Sequence, residues 1–217
     1  MKNIIQNIRR LFFDNSCTCC GEKASDNLIY LCYNCLDKIV RQKSLNKVGD
    51  TYYIWPYKGE FRKLLLEYKN NSRLALGKII SSLIEEEIFK VVYEEDIDYI
   101  VPIPINFRRE QIRGFNQVEE ILKNLNYSFL KTNRVKNTKK MFKLLDKEKR
   151  ENNIKNSFKV DKEFKAKNIL IFDDIITTGV TIEEFKRELI KNGEVNKIVV
   201  FSLSASKTYM NSNKRMC

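Results

Sequence analysis

Thirteen consecutive residues, Ile169-Leu170-Ile171-Phe172-Asp173-Asp174-Ile175-Ile176-Thr177-Thr178-Gly179-Val180-Thr181, narrow the choice of fold more than any other part of the chain. Four apolar residues in a row read as a buried strand, the kind found in parallel sheets covered by helices. The abrupt change to Asp173-Asp174 puts two acids at the carboxyl end of that strand, where open α/β sheets bind ligands. Thr177 to Thr181 then supply consecutive backbone N–H groups at the positive end of a helix, and Gly179 lets the chain approach a ligand closely. A phosphate fits such a turn. Adjacent carboxylates accept hydrogen bonds from vicinal ribose hydroxyls, and their charge helps position a Mg²⁺-bound polyphosphate. An acidic pair after an apolar strand is common and is usually a solvated strand end; the Thr-Thr-Gly-x-Thr that follows is what favours a ribose-phosphate site.

The same thirteen residues are similar, without a gap, to the phosphoribosyl pyrophosphate (PRPP) signature of type I phosphoribosyltransferases. The resemblance assigns Asp173 and Asp174 to the ribose hydroxyls as the catalytic pair. It assigns Thr177, Thr178, Gly179, Val180 and Thr181 to the 5′-phosphate.

A chain of 217 residues with 43% hydrophobic and 11% aromatic content holds one α/β domain of ordinary size and a small appendage. Its 40 basic and 28 acidic residues give a net charge of +12, which fits a polyanionic partner, phosphorylated ligands, or lysines scattered over a solvated surface. Histidine is absent, so imidazole bases and the usual hydrolytic triads are excluded. No run approaches the ~18 apolar residues of a membrane span. Met1 to Asp14 reads as a short amphipathic helix, with no secretory signal, so the expected compartment is the reducing cytoplasm.

Five of the six cysteines fall between residues 17 and 35. Cys17-x-x-Cys20 and Cys32-x-x-Cys35 form two knuckles whose four thiolates suit a closed tetrahedral Zn²⁺ site of structural type. Cys19 could replace Cys20, although the spacing favours Cys20. A disulfide framework and unmetallated buried thiols are the rival readings, the first weak without export. So short a segment lacks a sufficient core, and metal binding would supply its folding free energy.

Lys38 to Asp50 reads as a polar linker, and Thr51 to Tyr57 as an aromatic strand closed by Pro56. Helices are expected over Glu60–Tyr68 and about Leu74–Val92, with a basic turn around Lys69 between them. Asp98 to Pro104 is a buried strand ending in two prolines, followed by a rigid loop carrying Arg108, Arg109 and Arg113 and a helix of roughly Gln117–Asn126. Arginine forks bind phosphate bidentately, and a strand, loop, helix order sets them beside a ligand at the strand end; a solvated basic loop is the less favoured reading of the segment taken alone. Lys131 to Phe158 is a long polar stretch of the kind that covers active sites. A helix of about Thr181–Lys191, a strand of Lys197–Leu203 and a loose polar end after Ser204 complete the pattern. Strands alternating with helices indicate an α/β fold, a mostly parallel sheet with helices on both faces.

Taken in order, the four-cysteine start, Tyr57-Lys58-Gly59, Lys69, Val101-Pro102-Ile103-Pro104, Arg113-Gly114-Phe115-Asn116-Gln117, the basic loop with Arg150, Asn153 and Phe158, and residues 169–181 resemble the ComF family. Met141 stands where that family usually has glutamine, and Asn156 where it has glycine. The resemblance implies an N-terminal helix and zinc-ribbon module over residues 1–48 and a type I phosphoribosyltransferase-like domain over residues 49–217. It also implies a role in DNA uptake during natural transformation, with single-stranded DNA and a DNA-translocating competence ATPase as partners.

Two functions are compatible with these residues. One is a PRPP-binding protein whose working surface binds single-stranded DNA, with Tyr52, Tyr53, Trp55, Tyr57 and Phe61 among Lys58 and Arg62 as a stacking stripe or, more commonly for such a run, as core. The other is an active phosphoribosyltransferase that moves ribose-5-phosphate from Mg²⁺–PRPP to an acceptor, with charge placement as the protein's main task. In both, Arg108, Arg109 and Arg113, together with Lys69, are the candidates for the pyrophosphate.

Overall fold

The computed structural model describes residues 16–70, 73–136, 153–161 and 163–213. The expected N-terminal helix, the Met141 and Arg150 positions and Cys217 lie outside them. Helix α1 (Tyr33–Arg41) leads to strands β1 (Asn46–Val48) and β2 (Thr51–Pro56), then helices α2 (Gly59–Asn70) and α3 (Leu74–Glu94). Strand β3 (Tyr99–Pro102) is followed by α4 (Phe107–Arg113), α5 (Gln117–Asn124) and a two-residue strand β4 (Asn133–Arg134). Then come β5 (Phe158–Lys159), β6 (Phe164–Ile176), α6 (Val180–Lys191), β7 (Gly193–Ala205) and α7 (Lys207–Asn213).

The central sheet runs β1-β2-β7-β6-β3, parallel throughout except for β1 against β2. Period-two alternation distributes each strand between two cores. Ile100, Leu170, Phe172, Val199 and Phe201 pack on one face with α2, α3 and α5. Val101, Ile169, Ile171 and Val200 pack on the other with Phe185 and Leu189 of α6. Helices therefore cover both faces, as the sequence pattern requires, and the ends of β2, β3, β6 and β7 open on one edge.

Several elements depart from expectation. The stretch read as a linker contains the end of α1 and strand β1, whose hairpin with β2 is closed at Gly49 with φ +59°. The aromatic stripe is core: Tyr52, Tyr53, Trp55 and Phe61 are all buried, and the Trp55 and Phe61 rings stack at 3.9 Å, which leaves Tyr57 half-buried under Arg62. Pro56 ends β2, where a missing N–H costs nothing. The rigid loop after β3 winds into α4 because Asn106 caps it, its side chain accepting from the Arg108 N–H at 3.0 Å. The expected loose end after Ser204 instead forms the last two residues of β7 and then α7.

Candidate functional site

Strand β6 does not stop at the acids. It pairs with β7 through Asp173↔Ser202 to Ile176↔Ala205, so Asp173 and Asp174 lie in its last turn-ward residues and have different surroundings. Asp174 is 5% exposed, and its Oδ2 takes an ion pair from Lys69 Nζ at 2.7 Å, at the end of α2. The same oxygen accepts from Gln117 Nε2, and Gln117 Oε1 in turn accepts from the Arg113 guanidinium. Tyr68 Oη donates to the Gln117 carbonyl at 2.9 Å, and the Asn116 side chain caps α5 through the Val118 N–H at 3.0 Å. Three motifs far apart in sequence thus meet on one carboxylate.

Asp173 is half-buried, and its Oδ1 accepts the Asp174 N–H at 2.8 Å. Burial and the neighbouring Asp174 push its carboxyl up to about 7, against the pull of Lys69 and Arg134. Burial lowers the pKa of both Arg109 and Arg113, with Asp174 opposing. Of the four predicted cations, Lys69, Arg109 and Arg113 converge on the acids; Arg108 stays exposed on the outer side of α4. A fifth cation, Arg134, which carries no motif signal in the sequence, joins them. Burial and Arg109 push it down to about 10 while Asp173 opposes, and its guanidinium lies 5.3 Å from the Phe158 ring centroid. Four cations around two carboxylates leave positive charge for phosphate groups.

The turn after β6 has the geometry the glycine forecasts. Gly179 sits at φ 80°, the left-handed conformation, and is the N-cap of α6, so no capping side chain occupies the first N–H groups of that helix. Thr177 is exposed, Thr178 and Thr181 are half-buried, and Val180 is buried beneath the turn.

At the other end of the described chain, the sulfurs of Cys17, Cys20, Cys32 and Cys35 all lie within 4.8 Å of one another. Sulfurs at about 2.3 Å from a tetrahedral Zn²⁺ stand roughly 3.8 Å apart, so the four fit one ion. The Gly21 N–H closes the first knuckle on the Cys17 carbonyl at 2.8 Å, and Cys32 caps α1, which carries Cys35. Burial would raise the Cys17 thiol, but the N–H groups of Cys20, Cys32 and Cys19 outweigh it and bring it to about 6, whereas burial and the neighbouring thiols push the Cys35 thiol well up. Cys19 is outside this set. It is buried, its sulfur donates to the Glu60 carbonyl at 3.4 Å, and burial pushes its thiol up to about 11, so Cys20 and not Cys19 completes the cluster. The result is a four-cysteine cluster able to hold a metal such as zinc.

No family model matches the chain. It is 26% identical over 186 residues to the DNA utilization protein YhgH of Escherichia coli, covering 82% of this chain and 78% of that protein. It is 27% identical over 202 residues to competence protein F of Haemophilus influenzae, covering 85% and 83%. With competence protein ComFC of Streptococcus pneumoniae it shares 30% identity over 161 residues, 69% of this chain and 66% of that one. The chain belongs to the ComF family.

Within this ComF-family chain, the departure at Asn156 has a local explanation. The residue adopts φ 53°, a left-handed conformation that glycine enters freely and asparagine tolerates better than other residues, and its N–H donates to Glu184 Oε1 at 2.7 Å. Phe158 is buried against Phe185, with ring centroids 4.9 Å apart, which places β5 and its partner Arg134 beside the site. Nothing local in Asn133-Arg134 marks that arginine; only its pairing with β5 brings it in. Among the described residues, no helix of this ComF-family protein is long and apolar enough to cross a membrane.

The raised carboxyl of Asp173 has a thermodynamic consequence. A folded-state pKa of about 7 against an ordinary 3.8 means the folded protein holds the proton that the unfolded chain releases, so stability contributed by this group falls as pH rises from about 4 to 7. Asp173→Asn removes that penalty and is expected to stabilise the ligand-free protein by about 1–2 kcal/mol at pH 8, with little gain at pH 4. Urea melts at the two pH values check it; an equal effect at both would assign the change to packing.

Proposed function

We propose that this protein binds Mg²⁺–PRPP at the open edge of the sheet and acts in DNA uptake during natural transformation, with single-stranded DNA as its macromolecular partner. The reading rests on one observation above others: Asp174 of the thirteen-residue stretch, just before the Thr-Thr-Gly-x-Thr turn, is held by Lys69 and, through Gln117, by Arg113. Asp173, the more open acid, accepts the ribose hydroxyls with Asp174 beside it. The Thr177–Thr181 turn takes the 5′-phosphate on backbone N–H groups and hydroxyls. Lys69, Arg109 and Arg113 balance the pyrophosphate, with Arg134 behind them, while the exposed Arg108 takes no part in that contact. Mg²⁺ enters with the pyrophosphate as its counter-ion. The four-cysteine cluster holds structural Zn²⁺ within an N-terminal module of residues 1–48, and residues 49–217 form the phosphoribosyltransferase-like unit.

The DNA role comes from the relatives, two of them named as competence proteins and one as a DNA utilization protein. A net charge of +12 is compatible with a nucleic-acid partner. The cytoplasm is the proposed compartment and a DNA-translocating competence ATPase the proposed assembly partner. Retention of both acids and of the left-handed Gly179 also supports a second reading, an active phosphoribosyltransferase that forms a bond from the ribose anomeric carbon to an acceptor as pyrophosphate leaves. Calorimetric titration of Mg²⁺–PRPP, with and without a single-stranded oligonucleotide, separates the two. Micromolar binding whose affinity shifts with DNA, without pyrophosphate release, supports the first; pyrophosphate release on adding a nucleobase supports the second. Absence of PRPP binding would overturn both.

A further inference from the structure

A turn that presents bare N–H groups around a glycine has little internal reason to keep its shape, since glycine carries the largest backbone entropy of any residue. The order must come from outside the turn, and here it comes from the end of the chain. The Ser206 N–H donates to the Ile176 carbonyl at 2.8 Å, and Ser206 Oγ donates to the Thr177 carbonyl at 2.6 Å. The same Oγ accepts the Tyr209 N–H at 3.2 Å, which fastens the first turn of α7 to the back of the phosphate turn. The Tyr209 ring lies directly under Gly179: a Cβ added there would meet the ring at 3.3 Å.

The bracing continues past Tyr209. Its hydroxyl donates to Thr51 Oγ1 at 3.0 Å, and Thr51 Oγ1 donates to Asp50 Oδ1 at 3.2 Å. Asp50 Oδ2 pairs with Lys186 of α6 at 2.5 Å, two turns beyond the glycine that starts that helix. The contacts close a circuit from Thr177 through Ser206, Tyr209, Thr51, Asp50 and Lys186 back along α6 to Gly179.

We infer that Ser206 and Tyr209 are positioning residues for the phosphate turn, holding Thr177–Thr181 in its ligand-ready shape before a phosphorylated ligand arrives. The inference rests on the PRPP reading proposed above. Neither residue is part of the thirteen-residue motif. Both belong to a segment whose sequence looks like a loose tail, and their contribution is the preorganisation of donors that would otherwise be ordered at the expense of affinity.

The test uses the full chain with Ser206→Ala, Tyr209→Ala and Tyr209→Phe, measuring Mg²⁺–PRPP affinity by calorimetry well below each variant's Tm, and amide hydrogen exchange over Thr177–Thr181. Ser206→Ala and Tyr209→Ala are expected to weaken binding roughly tenfold, the scale of one or two lost hydrogen bonds, and to speed exchange in the turn. Tyr209→Phe keeps the ring under Gly179 and should restore most of the affinity that Tyr209→Ala loses. A merely structural role would lower Tm and leave affinity in the folded protein unchanged. Wild-type affinity and exchange in Ser206→Ala and Tyr209→Ala would overturn the inference while leaving the PRPP reading intact, whereas absence of binding by the wild-type protein would overturn both.

Discussion

Asp174→Ala combined with Thr178→Ala is expected to lower affinity for Mg²⁺–PRPP by at least about a hundredfold. Two or more interactions are lost, one of them charged, at roughly 1.5–3 kcal/mol for the charged one. Truncating Thr178 removes a hydroxyl from the phosphate turn. Truncating Asp174 does more than delete an acceptor, because this carboxylate holds Lys69 at 2.7 Å and sets the Gln117 side chain that in turn takes Arg113. Without it the ammonium and the amide lose a partner in a place only 5% exposed at Asp174, and both cations are free to leave the positions proposed for the pyrophosphate. Breaking a buried pair from one side also destabilises the fold, here by about 2–3 kcal/mol. The measurement therefore needs a thermal melt beside the calorimetry. Asp174→Asn, which preserves shape and one acceptor oxygen, should keep the fold and still lose most of the affinity. A folded double variant that binds PRPP like the wild type would remove the acid pair and the turn from the site.

The two-faced sheet was legible because Ile169 to Phe172 is apolar at every position, and only a strand covered on both sides needs that. The site was legible in so far as its parts were local: the acids, the glycine at φ 80° and the arginines of α4 all follow a strand directly. Contacts set by tertiary packing had no local signal. Arg134 reaches the acids because a two-residue strand pairs with Phe158, and Ser206 and Tyr209 brace the turn because β7 continues to Ala205 before the chain folds back. The aromatic run of β2 was open to two readings since composition cannot tell a stacking surface from core. Burial of Tyr52, Tyr53 and Trp55 settles it, with Trp55 Nε1 bonded to the Ile39 carbonyl at 2.9 Å.

That last bond bears on the metal cluster, whose loss is the second large effect expected. Cys17, Cys19, Leu31, Cys35 and Ile39 share one hydrophobic core with Trp55, Phe61 and Leu64, so the cysteine segment is packed into the main body and not merely tethered to it. Lys63 Nζ donates to the Cys19 carbonyl at 2.6 Å, and Cys19 bonds the Glu60 carbonyl, clamping the start of α2. The far end of α2 is Lys69 against Asp174. Cys20→Ser with Cys35→Ser removes one sulfur from each knuckle and leaves too few ligands to close a tetrahedral shell. The expected result is loss of bound zinc and of about 3–5 kcal/mol of stability, roughly 10 °C in Tm for a chain near this length. The change should extend beyond the segment as faster amide exchange along α2. Cys19→Ser serves as the control: it lies outside the cluster, so zinc content should hold while Tm falls by only a few degrees. Metal analysis of the freshly purified protein decides the premise, and stoichiometry near zero in the wild type, or an unchanged Tm in the double serine variant, would mean that packing against Trp55 holds the segment without an ion.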